Sequence, residues 1–169
     1  MIVKYSSGTN FYEALRSALK SNKYTLPEQI RVLDASGVRI DYNDDCNMVV
    51  DTNKVAWDFR YHVMTYKGVK PIEKPVYRFS LNYHPNDIVL DKQMLEDAKE
   101  FLDRIGFGNT QYVIISHRDK PHTYAKIVAN IVDNEGKRIS THRLVSKIHQ
   151  VCAEMTQTKK YTWGKTKSQ

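Results

Sequence analysis

Two stretches of this chain alternate with a period of two, and they limit the fold more than any other feature. In Val76 to Tyr83, the side chains of Tyr77, Phe79, Leu81 and Tyr83 fall on one side, with Arg78, Ser80 and Asn82 on the other. In residues 123 to 132, Thr123, Ala125, Ile127, Ala129 and Ile131 form one face, and Tyr124, Lys126, Val128 and Asn130 the opposite one. Successive side chains project to opposite faces of a strand, so this period marks strands with one buried face. Tyr112 to Ser116, between them, is apolar on both faces and suits a central strand.

Helical spacing separates the strands. Phe11, Leu15, Ala18 and Leu19 predict a helix from about Asn10 to Lys20, and residues 45 to 66 read as a second one. Asp91 is the expected N-cap of a third, with Leu90 and Leu95 as a hydrophobic staple, Leu95, Ala98, Leu102 and Ile105 as its buried stripe, and Gly106 as its stop. A last helix from about Thr141 buries Leu144, Ile148, Val151, Cys152 and Met155. Ile2 to Tyr5 reads as a short apolar piece ended by a Ser-Ser-Gly turn, and residues 29 to 42 as two short strands around Ala35-Ser36-Gly37. Strands and helices mix without regular βαβ alternation. The expectation is an α+β single domain, a mainly antiparallel central sheet flanked by helices.

Length and composition agree. A chain of 169 residues with 41% hydrophobic content can bury one core. Cys46 and Cys152 lack the spacing of a disulfide framework or a cysteine zinc site. No apolar run approaches membrane-spanning length and the first residues do not read as a signal peptide, so a cytoplasmic protein without a membrane partner is expected.

The net charge of +7 is unevenly placed. Residues 1 to 109 hold 15 basic and 15 acidic side chains; residues 110 to 169 hold 11 and 4, which is the whole surplus. Such a basic third points to nucleic acid or another anionic partner. The domain is expected over residues 1–158, with 159–169 a loose basic tail carrying Lys159, Lys160, Lys165 and Lys167.

The segment from His117 to Asn130 carries the chemistry. His117, Asp119 and His122 offer three potential metal ligands within six residues. That spacing alone leaves a metal site and an ordinary polar cluster both open.

Here the chain resembles the relaxase, or mobilization nuclease, domain of plasmids and conjugative transposons, within the HUH endonuclease fold. The likeness runs through MIVKYSSGTNFYEALRSALK, PVYRFSLNYHPND, DKQMLEDAKEFLDRIGFGNTQYVIISH, the H-x-D segment and NIVDNEGKRIS. Working members have H-x-D-x-x-(H/N)-P-H-x-H-(I/L)-V-x-N, in which the first His and the H-x-H pair bind a divalent cation that polarises the scissile phosphate. In this sequence His117, Asp119 and Asn130 match the first His, the Asp and the closing Asn. The H-x-H pair falls on Tyr124 and Lys126, and an ammonium there would repel a divalent ion.

The nucleophilic tyrosine of the family, carried on the first helix, falls on Ser17. Tyr12 lies elsewhere on that helix. Three catalytic positions have changed together.

The resemblance therefore implies a DNA-binding protein of relaxase type, binding single-stranded or hairpin origin-of-transfer DNA in mobilization, without nicking and accessory to other relaxosome proteins. The competing reading is an active nickase that uses Tyr12, Ser17 or Tyr124 as nucleophile and His117, Asp119 and His122 around Mg²⁺ or Mn²⁺. The first reading needs no cofactor. Arg118, Lys120, Lys126, Lys137, Arg138 and Arg143 are the expected DNA contacts, against the alternative of a solvated basic face. Lys126 either grips a phosphate or is an ordinary solvated lysine, and Tyr124 either stacks on a base or covers the sheet.

Overall fold

The two alternating segments lie side by side. In the computed structural model, which describes residues 1–20 and 25–164, the order is β1 (Ile2–Gly8), α1 (Phe11–Leu19), β2 (Ile30–Ser36), β3 (Asp41–Tyr42), β4 (Met48–Val49), α2 (Thr52–Val63), β5 (Val76–Asn82), α3 (Asp91–Arg104), β6 (Thr110–His117), β7 (Tyr124–Asp133) and α4 (Leu144–Thr158). Lys165 and Lys167 lie outside the described residues. The main sheet has five strands in the order β1-β5-β7-β6-β2, and every neighbouring pair is antiparallel. The α+β class and the antiparallel sheet expected from the sequence are what is found.

Strand β7 takes the middle, and helices cover it on both sides. On one face Ala125, Ile127, Ala129 and Ile131 pack with Tyr77, Phe79 and Leu81 of β5 against Met94, Ala98, Phe101 and Leu102 of α3 and Leu144 and Ile148 of α4. On the other, Val128, Val113 and Ile115 meet Phe11, Leu15 and Ala18 of α1 and Val55 and Phe59 of α2. The rings of Phe11 and Phe59 stack at 4.8 Å and fasten α1 to α2. Each such fully buried side chain contributes about 1.5–3 kcal/mol. The β7 face of Tyr124, Lys126, Val128 and Asn130, opposite the one buried face expected, is thus a second buried interface. Val128 and Asn130 are buried there, and Asn130 donates to the Phe59 carbonyl oxygen at 3.1 Å, tying the sheet to α2.

Several local expectations are corrected. Ser6-Ser7-Gly8 is no turn but the end of β1, paired with Arg78, Tyr77 and Val76; register with β5, not local apolarity, extends the strand. β3 does not pair with β2: it forms a hairpin with β4, closed where the Asn43 side chain accepts from the amides of Asp45 and Asn47. The second helix starts at Thr52 rather than near residue 45, because Asp51 caps it by accepting from the Lys54 amide at 3.1 Å.

Asp91 is the first residue of α3 and not its cap. Its carboxylate turns to Arg118 at 2.6 Å and Arg31 at 3.4 Å, while Leu90 is exposed and forms no staple. The C-terminal segment is fastened as far as Thr162. Lys159 pairs with buried Asp97 at 2.8 Å, Tyr161 donates to the same carboxylate, and Thr162 donates to Asp87.

Candidate nucleic-acid interface

The ends of β6 and β7 meet the C-terminal end of α1, and the expected catalytic positions gather there. His117 and Tyr124 are register partners across the two strands, and their rings stack at 4.7 Å. His117 is fully buried, with Nε2 2.7 Å from the Ala18 carbonyl oxygen. A carbonyl only accepts, so the neutral ring carries its proton on Nε2 and leaves Nδ1 as a bare lone pair. That Nδ1 has no hydrogen-bond partner among the described residues and stands 3.8 Å from Asp119 Oδ1. Burial, then the nearby charge of Lys126, push the His117 ring down to about 4, against the Ala18 bond and Asp119. At neutral pH the pair is an uncharged imidazole beside a carboxylate, not a salt bridge.

Tyr124 donates its hydroxyl to Asp119 Oδ1 at 3.1 Å. Burial and that carboxylate push the phenol up to about 12, so it stays protonated at neutral pH and is a poor nucleophile. It is buried rather than solvent-facing, with the ammonium groups of Lys120 and Lys126 near its ring at 5.3 and 5.9 Å. Lys126 donates to the Ser17 carbonyl oxygen at 3.4 Å, an end of α1 that carries partial negative charge. Burial first, then the like charges of Lys120 and Arg78, with Asp119 opposing them, hold Lys126 below the ordinary lysine value.

These donors do not suit a divalent cation. His122 turns its ring against Tyr124 at 5.3 Å, and among the described residues no three His, Cys, Asp or Glu side chains gather as a metal-holding group. The remaining positions offer a phenol and an ammonium. The orphan Nδ1 of His117 and Asp119 supply two ligands of the required kind, and His117, Asp119 and His122 do not close into a site.

A family model described as relaxase, MobA/VirD2-like, nuclease domain matches residues 30–161. The chain belongs to this family. No curated protein matches the chain. Membership in the relaxase family gives a relaxase-type function with DNA as partner, and no helix among the described residues is long and apolar enough to cross a membrane. The match covers β2 through α4 and all of the His117–Asn130 segment.

The relaxase-family sheet divides the expected DNA contacts into two groups. Lys120 and Lys126 lie beside the His117–Tyr124 stack, and Arg118 follows at the same end of β6 with its guanidinium turned to the start of α3, held by Asp91 and the Val89 carbonyl oxygen. Lys137, Arg138 and Arg143 lie past the other end of β7, roughly 20 Å away along the strand. Lys137 there is next to Glu135, at 3.6 Å, and Arg143 precedes α4 with a left-handed φ of 54°. Of the nucleophile candidates, Ser17 lies over Lys126, while Tyr12 is exposed five residues earlier on α1 and does not line the cleft beside Lys126.

That cleft contains residues the sequence reading passed over. Between α1 and the β1-β5-β7 surface is a cavity of about 280 Å³ lined by Lys4, Ser6, Ser17, Arg78, Ser80 and Lys126, among others. Arg78 was visible as a polar position of β5 facing away from the core. Its proximity to Lys126 required the β5–β7 register.

Proposed function

We propose that this relaxase-family chain binds DNA of origin-of-transfer type without cutting it, as an accessory to an active relaxase. The single observation that carries the reading is Lys126. Its ammonium stands on the strand position where working relatives have a metal-binding histidine, next to a protonated phenol at the other. A fixed positive charge positions a phosphate but does not supply the electrophilic activation of a divalent cation. Among the described contacts, no base is hydrogen-bonded to the hydroxyl of Ser17, at the place of the nucleophile; Lys126 bonds its backbone carbonyl oxygen instead.

One observation favours the second reading, a metal-dependent nickase. The buried Nδ1 lone pair of His117, facing Asp119, is what a ligand pair awaiting an ion would present. Binding measurements separate the two. Anisotropy of a labelled single strand should give the same affinity in EDTA and in Mn²⁺, with log K falling against log salt by about 0.7 per phosphate contacted. Lys126→Ala should make that slope shallower. Binding that requires Mn²⁺ would support the nickase instead.

A further inference from the structure

Lys126 has no carboxylate to hold its charge. Lys54, Lys99, Lys137 and Lys159 each pair with an aspartate or glutamate at 2.8 to 3.6 Å. The cleft around Lys126 has no carboxylate in its lining, and among the described residues its ammonium makes one hydrogen bond, to the Ser17 carbonyl oxygen at 3.4 Å. Burial first, then the charge of Lys120, with Asp119 opposing and Arg78 adding to it, holds Lys126 below the ordinary lysine value. Its bond to Asp34 raises Lys99 instead. Lys126 therefore presents more free amine at neutral pH than a carboxylate-paired lysine does.

An amine in a cleft reacts with what the cleft holds, and the neighbours of Lys126 suit a phosphate group. Lys4 pairs with Ser80 and Ser80 with Lys126, which sets the three in one row across β1, β5 and β7. Arg78 pairs with Val128, two residues along β7, and is the diagonal neighbour of Lys126 on the same face. Its buried Nε has no hydrogen-bond acceptor among the described residues, and a guanidinium offers parallel donors to two phosphate oxygens. The Ser80 hydroxyl accepts from the Asn82 amide at 3.0 Å and keeps its own proton to donate. The cavity of about 280 Å³ is smaller than pockets for drug-sized ligands, which span about 300–1,000 Å³, so the occupant is small.

We propose that Lys126 is an acyl-acceptor lysine, modified by a small acyl phosphate whose phosphate group is held by Arg78 and Lys4. A bound inorganic phosphate leaves the amine unused. In an acyl phosphate the electrophilic carbonyl is one oxygen away from the phosphorus, so a phosphate on Arg78 brings that carbonyl to the neighbouring Nζ. The ammonium first releases one proton to solvent. The Nζ lone pair then forms a C–N bond to the carbonyl carbon, and the bond from that carbon to the phosphate oxygen breaks. The electron pair leaves on the phosphate, where Arg78 and Lys4 stabilise the charge, and the second Nζ proton passes to it. The products are an amide and hydrogen phosphate, and nothing is oxidised or reduced. The amide is uncharged, so acylation removes the cation that the DNA reading assigns to Lys126. The acceptor site itself does not rest on that reading.

The test incubates the full chain with acetyl phosphate and follows the acetyl occupancy of each lysine by peptide mass mapping. Lys126 should be modified about tenfold faster than Lys99 or Lys137. Arg78→Gln should slow Lys126 by about tenfold, the loss of one charged bond to the phosphate, and Arg78→Lys should recover part of the rate. The second donor is N-acetoxysuccinimide, which carries the same acetyl group without a phosphate. Its reaction at Lys126 should be slowed far less by Arg78→Gln. Inorganic phosphate should compete with the first donor and not with the second.

Acetyl phosphate that labels Lys126 no faster than Lys99 and Lys137 overturns the proposal, and so does equal slowing of both donors in Arg78→Gln. Melting temperatures report whether the Arg78 variants fold. The phosphate competition needs only the wild type, and its absence also overturns the proposal.

Discussion

Asp97→Ala is expected to destabilise the domain by about 3–5 kcal/mol, the scale seen when one partner of a buried charged network is removed. Asp97 is completely buried on α3 and its carboxylate is fully used. It accepts from Tyr83 at 2.8 Å, Tyr161 at 2.6 Å and Gln93 at 2.8 Å, and pairs with Lys159 at 2.8 Å. Truncation leaves the buried Tyr83 hydroxyl without its acceptor and releases the segment that follows α4. Lys159 retains Glu100 at 3.9 Å, so its own charge is not stranded. Asp97→Asn preserves shape and an acceptor oxygen, and should cost only about 1–2 kcal/mol. Urea unfolding of the two variants beside wild type measures the difference. Equal, small losses in both would show that the network does not hold the C-terminal segment.

His117 should make the domain weaken on mild acidification. Its folded value of about 4 lies below the ordinary 6.5 of an unfolded chain. Between those values the unfolded chain binds a proton that the folded chain refuses, so stability rises with pH across the window. The contribution is fully present above pH 6.5, is lost as pH falls toward 4, and amounts to about 2–3 kcal/mol. His117→Gln retains a donor for the Ala18 carbonyl oxygen and cannot titrate. Its denaturation midpoint should therefore lack this pH-dependent step, seen as the difference between the two profiles from pH 4 to 6.5. Parallel profiles would mean that His117 is protonated in the folded state, and that Asp119 pairs with an imidazolium.

Where the fold was legible, one strand's own side chains sufficed. The alternation of β5 and β7 and the two apolar faces of β6 describe burial that each segment displays locally. Strand β1 was cut short because Ser6, Ser7 and Gly8 contribute no apolar face of their own; pairing with β5 makes them a strand. The covering of the Lys126 face by α1 and α2 was hidden for a similar reason. Val128 is the only aliphatic side chain among the four positions read as polar, yet it packs into the second cluster with Val113 and Ile115 of β6.

The candidate site divides the same way. Ser17, Tyr124 and Lys126 were found because the relaxase pattern aligns them one by one. Arg78 and Lys4 match no motif, and only the β1-β5-β7 register sets them beside Lys126. Asp97 was passed over because a single carboxylate in a helix with exposed acidic neighbours reads as surface. Its partners come from residues 83, 159 and 161, beyond any local window.

We propose that Lys126 and Tyr124 replace the cation site and that the chain holds DNA without cutting it. The most direct measurement incubates the full chain with single-stranded and supercoiled origin-of-transfer DNA in Mg²⁺ or Mn²⁺, then resolves products under denaturing conditions. The account predicts retained strand binding, intact DNA and no covalent protein–DNA species. A nicked product, or a tyrosine or serine adduct mapping to Tyr12, Ser17 or Tyr124, would contradict it.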